Sequence, residues 1–195
     1  MHDLEATSQQ NLGTFWWVFA LRGLFALLFS LVLFVAGSLF RVMFLDPFVI
    51  SLLGLLLGFY VMGNGLLLGV AAKVADDHHL PRQWTLVAEA AIVIALGIYI
   101  GFTLLLTPQS LALLAGLHAL TAGGFQCIRA FKLRHDRMYL ALLGISGLAS
   151  LAVAAAFLTH PDAATRNITN GLACLEVFYG LFSLLFALRL YRKRA

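Results

Sequence analysis

Residues 47–72 read PFVISLLGLLLGFYVMGNGLLLGVAA and decide the fold of this chain. No charged side chain interrupts the run, and it is longer than the about 20 residues that a helix needs to cross the hydrocarbon core of a bilayer. Lipid offers no hydrogen-bond partner to the backbone, and a helix satisfies its own backbone groups. The run therefore predicts a transmembrane helix.

The rest of the chain has the same character. Of its 195 residues, 62% are hydrophobic and 11% are charged, and its mean hydropathy is +0.93. Soluble domains are about half apolar and about a quarter charged. We therefore expect an all-α integral membrane protein, with the lipid bilayer as its partner. This composition is not typical of a nucleic-acid-binding domain, a disulfide scaffold or a disordered chain.

Six apolar runs are long enough to cross a membrane. They divide the chain into a tail at 1–14, a six-helix membrane domain at 15–188 and a basic tail at 189–195. The predicted spans are 15–39, 47–72, 84–106, 109–130, 138–158 and 167–188.

The basic residues predict the orientation of the spans. Ten Lys and Arg lie in or beside the segments 73–83, 129–137 and 189–195, and two lie in the loops on the other side. Because Lys and Arg concentrate in cytoplasmic segments, we expect both termini in the cytoplasm. Both tails would then be cytoplasmic.

The spans repeat one pattern three times, which predicts three parallel helical hairpins at about 15–72, 84–130 and 138–188. An aromatic residue opens the first helix of each hairpin, and a proline lies near the start of the second, where its missing N–H costs nothing. These residues are Trp17, Trp84, Tyr139, Pro47, Pro108 and Pro161.

Small residues predict where the helices pack against each other. Lipid gives helices no hydrophobic reason to associate, so close backbone contact needs small side chains. The second span carries a stripe of glycines spaced by four and seven residues, which fall on nearly one face of a helix. They are Gly54, Gly58, Gly65 and Gly69, and we interpret them as a packing face.

Four ionisable residues lie inside the spans, where a charge costs about 2.5 kcal/mol or more. They form the candidate polar network Arg22, Glu89, His118 and Glu176. Arg22 and Glu89 each follow an opening Trp by five residues, so they lie at equal depth in a position to pair. His118 and Glu176 lie near the centres of their spans. We interpret this pair either as a proton relay or as an interhelical hydrogen bond.

Catalytic and metal-binding patterns are weak. Asp76, Asp77, His78 and His79 are consecutive in a polar loop without a second ligand pair, so we do not expect a metal site there. We predict no catalytic, cofactor-binding or metal-ligating residues, no cofactor and no enzymatic activity.

The chain resembles the HdeD-type bacterial acid-resistance membrane proteins over about residues 15–192. In the first repeat the resemblance lies in Trp16, Trp17 and Leu21–Gly23, with Tyr60 and Gly65. In the second and third repeats it lies in Trp84, Glu89, Gly97, Pro108, Ile128, Arg129, Gly144, Pro161 and 187–189. Ala90 departs from the pattern, since a glycine commonly follows the Glu.

The resemblance implies a non-enzymatic protein of the bacterial cytoplasmic membrane that contributes to acid or envelope stress resistance. Two alternatives stay open. One is a small proton-coupled transporter or channel that uses Arg22, Glu89, His118 and Glu176. The other is a scaffold or assembly subunit whose partner is a second copy of the chain or another membrane protein.

Overall fold

The computed structural model describes residues 16–39, 47–77, 84–103, 107–132, 137–161 and 168–194. These parts of the chain form six α-helices and contain no strand. The helices are α1 Trp16–Leu39, α2 Pro47–Asp77, α3 Trp84–Phe102, α4 Pro108–Lys132, α5 Arg137–Thr159 and α6 Ile168–Arg194. The predicted tail 1–14, and His78 and His79, lie outside the described residues.

All six helices are long and apolar enough to cross a membrane, which confirms the prediction of an all-α, six-span protein. Helices α2 and α6 extend furthest beyond their predicted ends. Helix α2 continues to Asp77 instead of residue 72, and α6 continues through the basic tail to Arg194. A helix ends where its hydrogen bonds end and not where its apolar run meets water, so polar residues at the bilayer surface can prolong it.

The helices pack most closely in three pairs, which are α2 with α3, α4 with α5, and α1 with α6. Each pair joins the second helix of one predicted hairpin to the first helix of another. The two helices of one predicted hairpin contact each other much less. The arrangement as three parallel repeats stays a prediction.

Glycine allows the closest of these contacts. A Cβ atom added to Gly58 of α2 would lie 2.5 Å from the Gly101 nitrogen of α3. One added to Gly23 of α1 would lie 2.8 Å from the Gly180 oxygen of α6, and one added to Gly123 of α4 would lie 2.9 Å from the Gly147 oxygen of α5. Every close pair therefore contains a crossing point at which a larger residue does not fit.

The first and last helices meet at one end of the bundle, where the rings of Trp16 and Tyr191 lie 5.0 Å apart between centroids. We call this the terminal end, and the opposite end, which holds Phe48 and Phe102, the loop end. Phe48 is 74% exposed and Phe102 is 80% exposed, as lipid-facing side chains of a membrane protein are. Between the ends lies an apolar core that includes Leu57, Ile100 and Ala112.

Candidate functional site

Three charged side chains from three helices meet in the half of the bundle nearer the terminal end. Arg22 of α1 and Arg129 of α4 both contact the carboxylate of Glu89 of α3. The Arg22 Nη2 atom lies 3.6 Å from Glu89 Oε1. Arg129 donates from Nη2 to Oε1 at 3.3 Å and from Nη1 to Oε2. The pairing of Glu89 with two arginines joins α1, α3 and α4.

The charged groups of this triad are withdrawn from solvent and lipid. The Glu89 side chain is 1% exposed, Arg22 is 4% exposed and Arg129 is 13% exposed. Charges this deep are stabilised when they are paired, and the loss of one partner leaves a buried charge without compensation. The triad is therefore a structural constraint as well as an electrostatic feature.

A second polar group surrounds Glu176 of α6. Its Oε2 atom accepts a hydrogen bond from the hydroxyl of Tyr60 on α2. Its Oε1 atom lies 3.7 Å from Nε2 of His118 on α4. The Tyr60 ring stacks on Phe29 at 4.1 Å between centroids, which fixes the direction of its hydroxyl.

Asn64 connects the two groups. Arg22 donates from Nε to Asn64 Oδ1 at 3.5 Å, and Asn64 donates to the Tyr60 carbonyl at 3.3 Å. Tyr60 and Asn64 are four residues apart, so one face of α2 carries both side chains toward the centre. The Tyr179 ring adds a further contact, with its centroid 5.4 Å from the Arg22 guanidinium carbon.

A small cavity lies at the centre of this network. The region that the centre of a water molecule can occupy in it measures about 20 Å³, which is enough for about one water molecule. All four ionisable residues singled out from the sequence line it, together with Tyr60 and Asn64. The Nδ1 atom of His118 is buried and has no hydrogen-bond partner among the described residues.

The network contains two arginines and two glutamates, and both arginines contact Glu89 whereas Glu176 contacts Tyr60 and His118. The network can hold a water molecule and a proton between groups that donate and accept hydrogen bonds. Across the described ranges, no three His, Cys, Asp or Glu side chains come together as a metal site.

Sequence reasoning missed the part that Arg129 plays. Arg129 was counted among the basic residues of a cytoplasmic segment, but α4 continues to Lys132 and leaves only 13% of the Arg129 side chain exposed. The signal in the sequence that indicates the role of Arg129 is its spacing from His118. Eleven residues separate His118 from Arg129, which is three helical turns and returns to nearly the same face.

The glycines of the α2 stripe differ in what they contact. Gly58 and Gly65 face α3, where a Cβ on Gly65 would lie 2.7 Å from Ile94 Cγ1. Gly54 is buried, and a Cβ on Gly69 would meet no atom of the described residues within 4 Å.

The fold and the buried network define a multi-pass, all-helical membrane protein. Residues 88–159 match a family described as "Short repeat of unknown function (DUF308)". The matched segment runs from the first half of α3 to the end of α5 and includes Glu89, His118 and Arg129. No curated protein and no solved structure matches the chain.

Proposed function

We propose that this chain is an HdeD-type protein of the bacterial cytoplasmic membrane that contributes to acid or envelope stress resistance without catalysing a reaction. The observation that carries the proposal is the match of residues 88–159 to the short-repeat family, to which HdeD belongs. The excess of basic residues in the segments 73–83, 129–137 and 189–195 supports cytoplasmic termini. The mutual pairing of the buried charges supports a non-enzymatic bundle.

The proposal predicts a survival phenotype. A strain that lacks the gene is expected to survive acid exposure less well than the parent, and expression of the intact chain is expected to restore survival. The measurement is the count of viable cells after acid challenge, with growth at neutral pH as the control. Unchanged survival under acid and under other envelope stresses would contradict the proposed role.

A second candidate function is a proton-conducting pathway, and the cavity beside Glu176 favours it. Tyr60 and His118 both contact Glu176 at this cavity, and the unpartnered Nδ1 of His118 offers a further position for a proton. Chains of ionisable side chains and water carry protons through membrane proteins. The core toward the loop end is apolar and includes Leu53, Leu57 and Leu111, so conduction requires the helices to admit water there.

This candidate predicts proton flux into liposomes that contain the purified protein under an outside-acid gradient. Wild type is expected to exceed empty liposomes, and Glu176→Gln and His118→Gln are expected to return the flux to that baseline. His160→Gln is the matched control, because His160 is exposed at the end of α5. Equal flux in wild-type and empty liposomes would rule the pathway out.

A further inference from the structure

A second cavity lies beside the triad, on the side nearer the terminal end. The region that the centre of a water molecule can occupy in it measures about 20 Å³. Two guanidinium groups line it together with hydroxyl and amide groups, and no acidic residue is among its described lining. The polar lining consists of Arg22, Gln126, Arg129, Ser146, Tyr179 and Ser183.

The charges around this cavity do not cancel locally. Glu89 lines the first cavity and not the second, and it is shared by Arg22 and Arg129. The triad therefore carries one positive charge in excess. The other carboxylate, Glu176, contacts Tyr60 and His118 across the first cavity. A buried excess charge is costly unless an opposite charge lies close to it.

Hydrogen-bonding groups at this cavity also lack partners. The Nε donor of Arg129 is buried, and no described part of the chain supplies an acceptor for it. Gln126 is 2% exposed, and its Oε1 atom has no hydrogen-bond partner within the described ranges. A half-turn of the amide exchanges Oε1 for the Nε2 donor, so Gln126 can donate to an anion in the cavity. The polar contacts of Arg22 with described residues are long, at 3.5 Å to Asn64 and 3.6 Å to Glu89.

We propose that this second cavity binds one small monovalent anion between Arg22 and Arg129. The positive excess favours an anion over a water molecule, and the cavity volume limits the ligand to a halide or an ion of similar size. The guanidinium groups supply charge and donors, and Gln126 supplies a further donor. The site does not depend on the proposed role in stress resistance.

Chloride is the probe for the test. The thermal unfolding midpoint of the full chain in detergent is measured while chloride replaces gluconate from 1 to 300 mM at constant ionic strength. A ligand that binds the folded state raises the midpoint, and we expect a rise of about 3 °C or more for wild type. Gln126→Glu places a carboxylate in the cavity as a substitute for the anion, so its midpoint is expected not to respond to chloride.

The control is Gln109→Glu, the same substitution at an exposed position near the start of α4, which should respond as wild type does. An equal response in Gln126→Glu, or no response in wild type, would overturn the proposal. If Gln126→Glu does not fold, equilibrium binding of radiolabelled chloride to wild type decides. One saturable site per chain supports the proposal, and the absence of saturable binding contradicts it.

Discussion

Replacing Glu89 with Gln is expected to lower the free energy of unfolding in detergent by about 3 to 5 kcal/mol. The substitution keeps the shape of the side chain and removes the single carboxylate that Arg22 and Arg129 share. The buried guanidinium group of Arg22 and the partly buried one of Arg129 then lie near each other without that counter-charge. The measurement is an equilibrium denaturation of the purified protein in detergent.

Glu176→Gln is the matched control, since it is the same substitution in the other buried carboxylate of the network. A neutral amide oxygen can still accept the hydrogen bond of Tyr60, so we expect a loss of about 1 kcal/mol. Equal losses for the two variants would show that the charge of Glu89 is not what stabilises its surroundings.

Replacing Gly58 with Ala is expected to cost about 3 kcal/mol, at the upper end of the usual cost of overpacking. The added Cβ would lie 2.5 Å from the nitrogen and 2.6 Å from the Cα of Gly101. Both atoms belong to the backbone of α3, so the helices must separate to admit the methyl group. Denaturation in detergent measures the loss.

Gly69→Ala is the control on the same helix. In the part of the chain that the structure describes, a Cβ at Gly69 meets nothing within 4 Å, and Ala in a helix is favoured over Gly by about 0.5 to 1 kcal/mol. The Gly69 variant is therefore expected to match or exceed wild type. A Gly58 variant as stable as the Gly69 variant would contradict the close crossing of α2 and α3.

The glycine stripe also bears on the scaffold hypothesis. Gly58 and Gly65 contact α3 of the same chain, so a partner helix cannot use them without displacing α3. A scaffold role stays a hypothesis, and a test of it needs substitutions on lipid-facing residues such as Leu31 or Leu148, which are 59% and 64% exposed.

The six helices are predictable from the sequence because crossing a bilayer sets a minimum apolar length that each run meets. Arg22 and Glu89 lie at equal depth in their spans, and this also predicted that their side chains are within reach of each other. The second arginine was not predictable from charge counting, because Arg129 lies in a run that also contains surface residues. The contact of α1 with α6 depends on how the bundle closes, and no local pattern encodes it.

The central claim is that the six helices enclose a network of paired charges, and a double-mutant cycle between Glu89 and Arg129 tests it most directly. The free energies of unfolding are compared for wild type, Glu89→Gln, Arg129→Met and the double variant. The cycle isolates the pairwise interaction. We predict a coupling of about 2 kcal/mol, with the double variant more stable than Glu89→Gln alone because Arg129→Met removes an uncompensated charge. A coupling near zero, with Arg129→Met equally destabilising in both backgrounds, would contradict the claim.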